Sequence, residues 1–374
     1  MSAESYFGFL LVVILAASLS TGLIQNGLFS FAAASGRAEY TQAIMAGQAV
    51  AGVLPPLTQI VSVVVAGKSE KHGKHEKDSV SDDEGGVSGS EVETGADYKS
   101  AMIYFLTATV VSLVALLAFI HLLRRRKQAE FLFSAKDSTT ASSENDTTPN
   151  DHEHLIQHQH QRDTSNIPLA HLFTLLRPYA LTIILVFTTT MLIFPVSTTK
   201  ILSAADPPTP PALFIPLAFL VWNLGDLVGR LLPLLPFCDL TLRPRLLLAL
   251  AVLRIAWVPL YMLCGARSGS SQKSETWIPS DAFYLLVVQF PFGLSNGYLA
   301  SSSMVGAAGF FNLTSAEPHH NNGDGDDGNE EGDTRNAKEK ENENEKKKQA
   351  AGGFMGLMLV AGLTIGSFLS FTLG

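Results

Sequence analysis

Long apolar runs, separated by short turns or strongly polar stretches, set the pattern of this chain. Eight of them reach about 20 residues: Tyr6–Ser30, Tyr40–Ala66, Tyr98–Leu122, Leu172–Val196, Pro211–Leu235, Leu246–Gly265, Ala282–Ala307 and Ala351–Thr372. That is the length a helix needs to cross a hydrocarbon layer about 30 Å thick. The runs are apolar on every side and lack the polar face of a soluble helix. In lipid each backbone N–H and C=O must find its partner within the segment, which predicts helices. Barrel strands of about ten alternating residues do not match these lengths. The pattern therefore predicts an all-α polytopic membrane protein with eight transmembrane helices.

The polar stretches 68–97, 124–166 and 314–349 are low in complexity, with runs such as HNNGDGDDGNEEGD and KEKENENEKKK. Such composition buries no core and predicts disorder. The expected organisation has three parts. A partial amino-terminal group of three spans covers 1–123 and carries the polar loop 68–97. An unstructured loop covers 124–171. A carboxy-terminal group of five spans covers 172–374, interrupted by an unstructured loop at 312–350. The basic cluster HLLRRRKQ, His121–Gln128, places the end of the third span in the cytoplasm. Alternation then puts the loop with Arg37, the loop with Arg243 and Arg245, and 312–350 on the same side, and both termini on the other. The loop 68–97 faces away from the cytoplasm even though it mixes lysines with acids. MSAE is not a basic leader and the first run is too long for a signal core. It reads as a true helix, or as the start of a chain missing its natural beginning.

Composition changes this picture little. Only 16% of residues are charged, and the formal net charge of −8 arises mainly in the polar loops, so it does not indicate a partner's sign. No basic patch suggests nucleic acid. Cys238 and Cys264 flank one apolar span; about 30 Å of bilayer between them exceeds disulfide reach. The tract DHEHLIQHQH, Asp151–His160, has metal-ligand residue types but nothing to fix their geometry, so a solvated linker is expected. Asn145 and Asn312 open glycosylation sequons on loops expected in the cytoplasm, where they stay unmodified. There is no phosphate-cradling glycine loop to support ATP drive. The apolar part has no Ser/His/Asp set or carboxylate pair to support catalysis. No enzyme activity and no cofactor are expected.

Candidate chemistry lies inside the spans. In VWNLGDLVGR, Val221–Arg230, the midpoint of the fifth span falls near Asn223, with Asp226 three residues on and Arg230 four beyond that. These offsets put all three on one helix face. A lone charge at bilayer centre costs about 2.5–3.5 kcal/mol on insertion scales, so the face must meet protein or water. Two readings follow: an ion pair that pins helices together, or a site lining a polar pathway. Carboxylate and guanidinium together can accept from and donate to a polyhydroxylated solute. Arg254, in LRIAWVPL, has no acid on its own span. It is expected either to share Asp226 or to be capped by a backbone carbonyl, in a structural role. Gln25, Asn26, Gln48 and Asn296 add polar groups at membrane depth, beside glycines (Gly22, Gly27, Gly47, Gly52, Gly293, Gly297) that let helices approach closely. Pro55, Pro56, Pro195, Pro216 and Pro259 are expected to kink or break their helices.

These residues carry a resemblance. The run IQNGLFSFAAASGRAEYTQAIMAGQAVAGVLPP resembles the fourth and fifth helices of the equilibrative nucleoside transporters. VWNLGDLVGR is similar to their eighth helix, LRIAWVPLYMLC to the ninth, FGLSNGYLASSSM to the tenth and AGGFMGLMLVAGLTIGSFLSF to the eleventh. D-x-x-x-R and SNGYLAS are specific together, and the order holds along most of the chain outside the loops. The resemblance implies a major-facilitator-like fold with three plus five helices instead of six plus five, the first three being absent. It implies facilitative transport of nucleosides such as uridine and adenosine, and of nucleobases, by alternating access in the bilayer. By resemblance Gln25 contacts the base or ribose, and Asp226 and Arg230 hold the ribose hydroxyls. Trp222 and Asn223 neighbour that site and Asn296 supports it, with Arg254 and Gln48 structural. The plasma membrane and a vacuolar or endosomal membrane are both open. A second reading is a truncated, non-transporting relative or gene fragment; a proton-coupled nucleoside carrier or a sugar carrier ranks lower. Because arginines balance the one mid-membrane acid, passive exchange is the simpler expectation.

Overall fold

Apolar runs of this length fold as helices, and helices are what the chain forms. The structure is a computed structural model that describes residues 2–77, 106, 108–125, 128, 168–264, 278–315 and 330–373. In chain order the helices are α1 (Ala3–Ala34), α2 (Ala38–Lys77), α3 (Ala108–Arg125), α4 (Leu169–Lys200), α5 (Pro211–Leu231), α6 (Pro244–Leu253), α7 (Trp257–Leu263), α8 (Phe290–Ser315) and α9 (Glu330–Leu373). The described residues contain no β-strand. Among the described residues seven spans are long and apolar enough to cross a bilayer. The remaining expected one, Ala282–Ala307, enters as a π-helical run, Phe283–Gln289, and continues into α8. Serines, glycines and Asn296 make it less apolar than the rest.

Local chemistry explains several boundaries. Ser2 caps α1 by accepting from the Ser5 N–H at 3.3 Å. At the other end Gly36 takes a φ of 67°, the left-handed stop that glycine adopts freely, and turns the chain into α2. Pro211 and Pro244 each sit at a first helical position, where a missing N–H costs nothing. Pro259 is the proline that breaks a span. It has no N–H to give the Ile255 carbonyl, and its ring crowds that carbonyl. The turn Arg254–Ala256 tightens to a 3-10 helix and divides α6 from α7. At Pro55, Pro56, Pro195 and Pro216 the helix runs on unbroken, as membrane helices tolerate when neighbouring groups re-satisfy the backbone.

Two helices outrun the sequence expectation. α2 continues past Ala66 through KSEKHGKHEK to Lys77. α9 begins at Glu330, well before Ala351, so the expected unstructured loop 312–350 is helical over its second half. Its glutamates and lysines are good helix formers. Glu343 and Lys347 pair at 2.7 Å in the favoured order along the helix. The tract Asp151–His160 and Asn145 lie outside the described residues.

Contacts gather Met1–Ile60 with Asn166–Gly374 in one unit and leave Val61–Ser165 as another. The first unit thus holds α1, the larger part of α2 and the helices from α4 onward. In the first unit one core packs Phe29, Met45, Leu176, Ile183, Leu299 and Met355, and a second packs Phe194, Phe214, Trp222, Tyr261, Tyr284 and Phe292. α1 lies against α9 at Gly352, where an added Cβ would stand 2.4 Å from the Phe29 carbonyl oxygen. Leu11, Val12, Leu15, Leu23 and Phe371 point outward, which suits lipid. In the second unit α3 exposes Val110, Val114 and Leu117.

Candidate functional site

Two glycine pairs build the site. α5 carries Gly225 and Gly229, and α8 carries Gly293 and Gly297, each pair four residues apart. With no Cβ in the way the two backbones touch. A Cβ at Gly229 would fall 2.1 Å from the Leu294 carbonyl oxygen, one at Gly293 2.1 Å from that of Trp222, and one at Gly297 2.0 Å from that of Asp226. This is the close crossing that small-xxx-small patterns permit in membranes. The seam brings Asp226, which lies between the α5 glycines, up to Asn296, which lies between the α8 glycines.

Both carboxylate oxygens of Asp226 are engaged. Oδ2 takes the Arg230 Nε–H at 2.9 Å, and Oδ1 takes the Asn296 Nδ2–H at 2.7 Å. Arg230 reaches on to α2, donating from Nη1 to the Met45 carbonyl at 2.9 Å and to Gln48 Oε1 at 3.2 Å. Gln42 Nε2 donates to the Arg230 carbonyl, and the Ser301 hydroxyl donates to Gln42 Oε1 at 2.6 Å. Asp226 and Arg230 are only 3% and 7% exposed. Partners on three helices offset the desolvation that makes isolated charges so unfavourable there.

Arg254 resolves its two expected outcomes in favour of the carbonyl cap. Its Nη1 donates to the Phe292 carbonyl at 2.9 Å and to Ser295 Oγ, its Nη2 donates to Thr190 Oγ1 at 2.8 Å, and its Cζ lies 4.4 Å from the centroid of the Phe292 ring. It makes no ion pair with Asp226; Thr190 and Asn296 stand between them, with the Thr190 hydroxyl 2.7 Å from Asn296 Oδ1.

The predicted residues fall into three groups. Asp226, Arg230 and Asn296 meet directly, with Gln48 joined to Arg230. Asn223 shares their face, its Oδ1 turned toward Gly52 of α2 while Nδ2 donates to its own helix at Phe219 O, 2.8 Å. Trp222 stacks on Phe194 with ring centroids 4.0 Å apart, and its buried Nε1–H has no partner. Gln25, half-buried on α1, makes no hydrogen bond to the α5 face. Nη2 of Arg230 and Oδ1 of Asn223 make no hydrogen bond.

Sequence reasoning missed Gln42, Thr190 and Ser301. Gln42 carried a readable signal: it stands beside Thr41, and Thr41, Ala49 and Gly52 put small or polar residues at helical spacing along α2. Thr190 carried none, because threonines in apolar helices ordinarily bond the carbonyl four residues back, as Thr182 and Thr189 do here.

Two further features lie away from the α5 face. Gln289, in the π-helical run, accepts from Tyr261 Oη at 2.6 Å and donates to Thr198 Oγ1 at 2.9 Å and to Tyr284 Oη at 2.6 Å. A groove of about 590 Å³, lined almost wholly by apolar atoms, includes Phe237, Leu253, Arg254, Trp257, Ser295 and Tyr298. Cys238 and Cys264 are both free, and no group of three potential metal ligands occurs among the described residues.

Spanning helices with apolar exteriors, closed around a buried acid–arginine pair, define a multi-pass integral membrane protein with a polar site inside its helical bundle. The sequence profile described as Nucleoside transporter matches residues 10–75 and 87–315. The chain belongs to the nucleoside transporter family, a family of transporters and not of enzymes. It is 28% identical over 384 residues to nucleoside transporter FUN26 of Saccharomyces cerevisiae, covering 98% of this chain and 64% of that protein. It is 28% identical over 324 residues to equilibrative nucleoside transporter 1 of Mus musculus, covering 81% and 62%. With equilibrative nucleoside transporter 2 of Homo sapiens it shares 37% identity over 129 residues, covering 33% and 27%. The chain thus spans less than two thirds of the length of these relatives.

Proposed function

We propose that the chain acts as a facilitative nucleoside carrier working by alternating access. One observation carries this reading: the Asp226–Arg230 pair sits buried in the carboxy-terminal half of α5, with Arg230 Nη2 and Asn223 Oδ1 without hydrogen-bond partners on the same face. A ribose offers vicinal hydroxyls that both donate and accept. A guanidinium N–H and an amide oxygen in register suit such a pair, and Asp226, whose oxygens each keep a second lone pair beside their bonds to Asn296 and Arg230, accepts from a hydroxyl. Trp222 and Gln25 supply an aromatic face and an amide for the base. The spans group as 1–123 and 172–374, joined by a cytoplasmic segment, 124–171. Uridine and adenosine are substrates, in the plasma membrane or a vacuolar or endosomal membrane.

The test is uptake of labelled uridine and adenosine in cells lacking their own carriers. Expected is saturable uptake, competed by unlabelled nucleosides and not by hexoses, and unchanged when the proton gradient is collapsed. Chain present in the membrane without uptake above background would overturn the proposal.

A further inference from the structure

We propose that Arg254 is a positioning residue for substrate recognition, setting the orientation of the Asp226 carboxylate through a directed chain of hydrogen bonds across α4 and α8. The proposal rests on the nucleoside-carrier reading of the α5 face and adds a residue outside it.

The direction of the chain follows from the chemistry of its two ends. A carboxylate accepts only, so the amide of Asn296 must turn Nδ2 toward Asp226, as observed at 2.7 Å. Its Oδ1 is thereby turned toward Thr190 and needs a donor. A guanidinium donates only, so Thr190 Oγ1 accepts from Arg254 Nη2 at 2.8 Å, and the hydroxyl proton is left to serve Asn296 Oδ1 at 2.7 Å. Thr190 also lies 2.8 Å from the Val186 carbonyl. The donor behind it and the acceptor ahead of it favour the outward bond, since each link polarises the next.

Three features show that this arrangement does more than bury an arginine. Thr190, Asn296 and Arg254 are each 2% exposed or less, so water does not compete for the links. Arg254 is anchored at its other end by the Phe292 carbonyl, Ser295 and the face of Phe292, which makes it a fixed post from which Thr190 hangs. With Asn296 locked on Oδ1, Arg230 is confined to Oδ2 through Nε. That confinement leaves Nη2 free of the carboxylate. If the chain is cut, Asn296 is free to rotate, the carboxylate turns, and Arg230 closes on it with both nitrogens. The nitrogen that faces substrate is then lost.

The test joins a spectroscopic readout to transport, both on the full chain. Aspartate-labelled protein in lipid nanodiscs gives a carboxylate stretch assigned to Asp226 by its loss in D226N. In T190V, which keeps the shape and removes the hydroxyl, this band shifts, and R254Q shifts it the same way. In carrier-deficient cells T190V raises the uridine KM about tenfold, with the maximal rate per surface copy unchanged. The T190V/R254Q double variant is no worse than the poorer single variant, because both cut one chain. R254K, which keeps the charge and a donor toward Thr190, recovers most of the affinity. A band unmoved in both variants, or losses that add in the double variant with KM unchanged, would overturn the proposal, since a merely structural arginine behaves that way. T190V carries the test if R254Q fails to reach the membrane. Band shifts in T190V and R254Q, with a wild-type chain that takes up no nucleoside, would refute the carrier reading and leave the chain of bonds standing.

Discussion

Replacing Gly297 with alanine puts the backbone seam between α5 and α8 under direct strain. The new Cβ would lie 2.0 Å from the Asp226 carbonyl oxygen and 2.9 Å from the Arg230 nitrogen. Real Cβ atoms stay at least 3.0 Å from such atoms, so α8 must retreat by about 1 Å. If that retreat falls along the Asn296–Asp226 contact, now 2.7 Å, the bond opens to about 3.7 Å and is lost. A hydrogen bond to an ionised group contributes about 1.5–3 kcal/mol, whereas alanine returns about 1 kcal/mol of helix propensity over glycine. The net is a destabilisation of about 0.5–2 kcal/mol, a factor of about 2–30 in an equilibrium. The assay is thermal unfolding in detergent together with uridine uptake per surface copy. Gly309, on the same helix, serves as the control because a Cβ there meets nothing within 4 Å. G297A should lower the midpoint and the uptake, and G309A should match or exceed wild type in stability. Equal behaviour of the two variants would refute the seam.

Arg230→Ala leaves Asp226 buried without its cation, at a cost of about 3–5 kcal/mol. Surface abundance and uptake should fall together, and wild-type abundance by surface labelling would contradict the buried pair. Gln42→Leu removes the tie among α2, the Arg230 carbonyl and Ser301. Interhelical bonds in membranes contribute about 1 kcal/mol, so a modest drop in the unfolding midpoint is expected, and an unchanged midpoint would show that the tie carries no stability.

Hydropathy and helical register were legible in the sequence because both are local. The spans emerge from apolar length alone. The shared face of Asn223, Asp226 and Arg230 follows from 3.6-residue periodicity, and both survive in the structure. The way helices face each other is not local. That Gly225 and Gly229 meet Gly293 and Gly297 depends on a crossing between segments about 70 residues apart, although Gly293 and Gly297 themselves suggested close approach. Arg254 offered two partners on paper, and the one it takes, the Phe292 carbonyl, lies on a helix 38 residues along the chain. Thr190 was silent because the sequence offers its hydroxyl a local acceptor, the Val186 carbonyl, and shows nothing of Asn296 or Arg254. The helical stretches at the end of α2 and the start of α9 were read as disorder from low hydrophobicity, yet Glu and Lys that bury nothing still favour helix.

The most direct measurement is nucleoside uptake by the paired apolar variant Asp226→Leu/Arg230→Met. Replacing both charges removes their desolvation penalty along with their attraction, so a buried pair can be exchanged this way at little or no loss of stability. The fold is kept while the polar face is erased. The account predicts surface abundance close to wild type and uridine uptake no higher than background. Uptake at the wild-type rate would contradict the claim that this face grips the nucleoside.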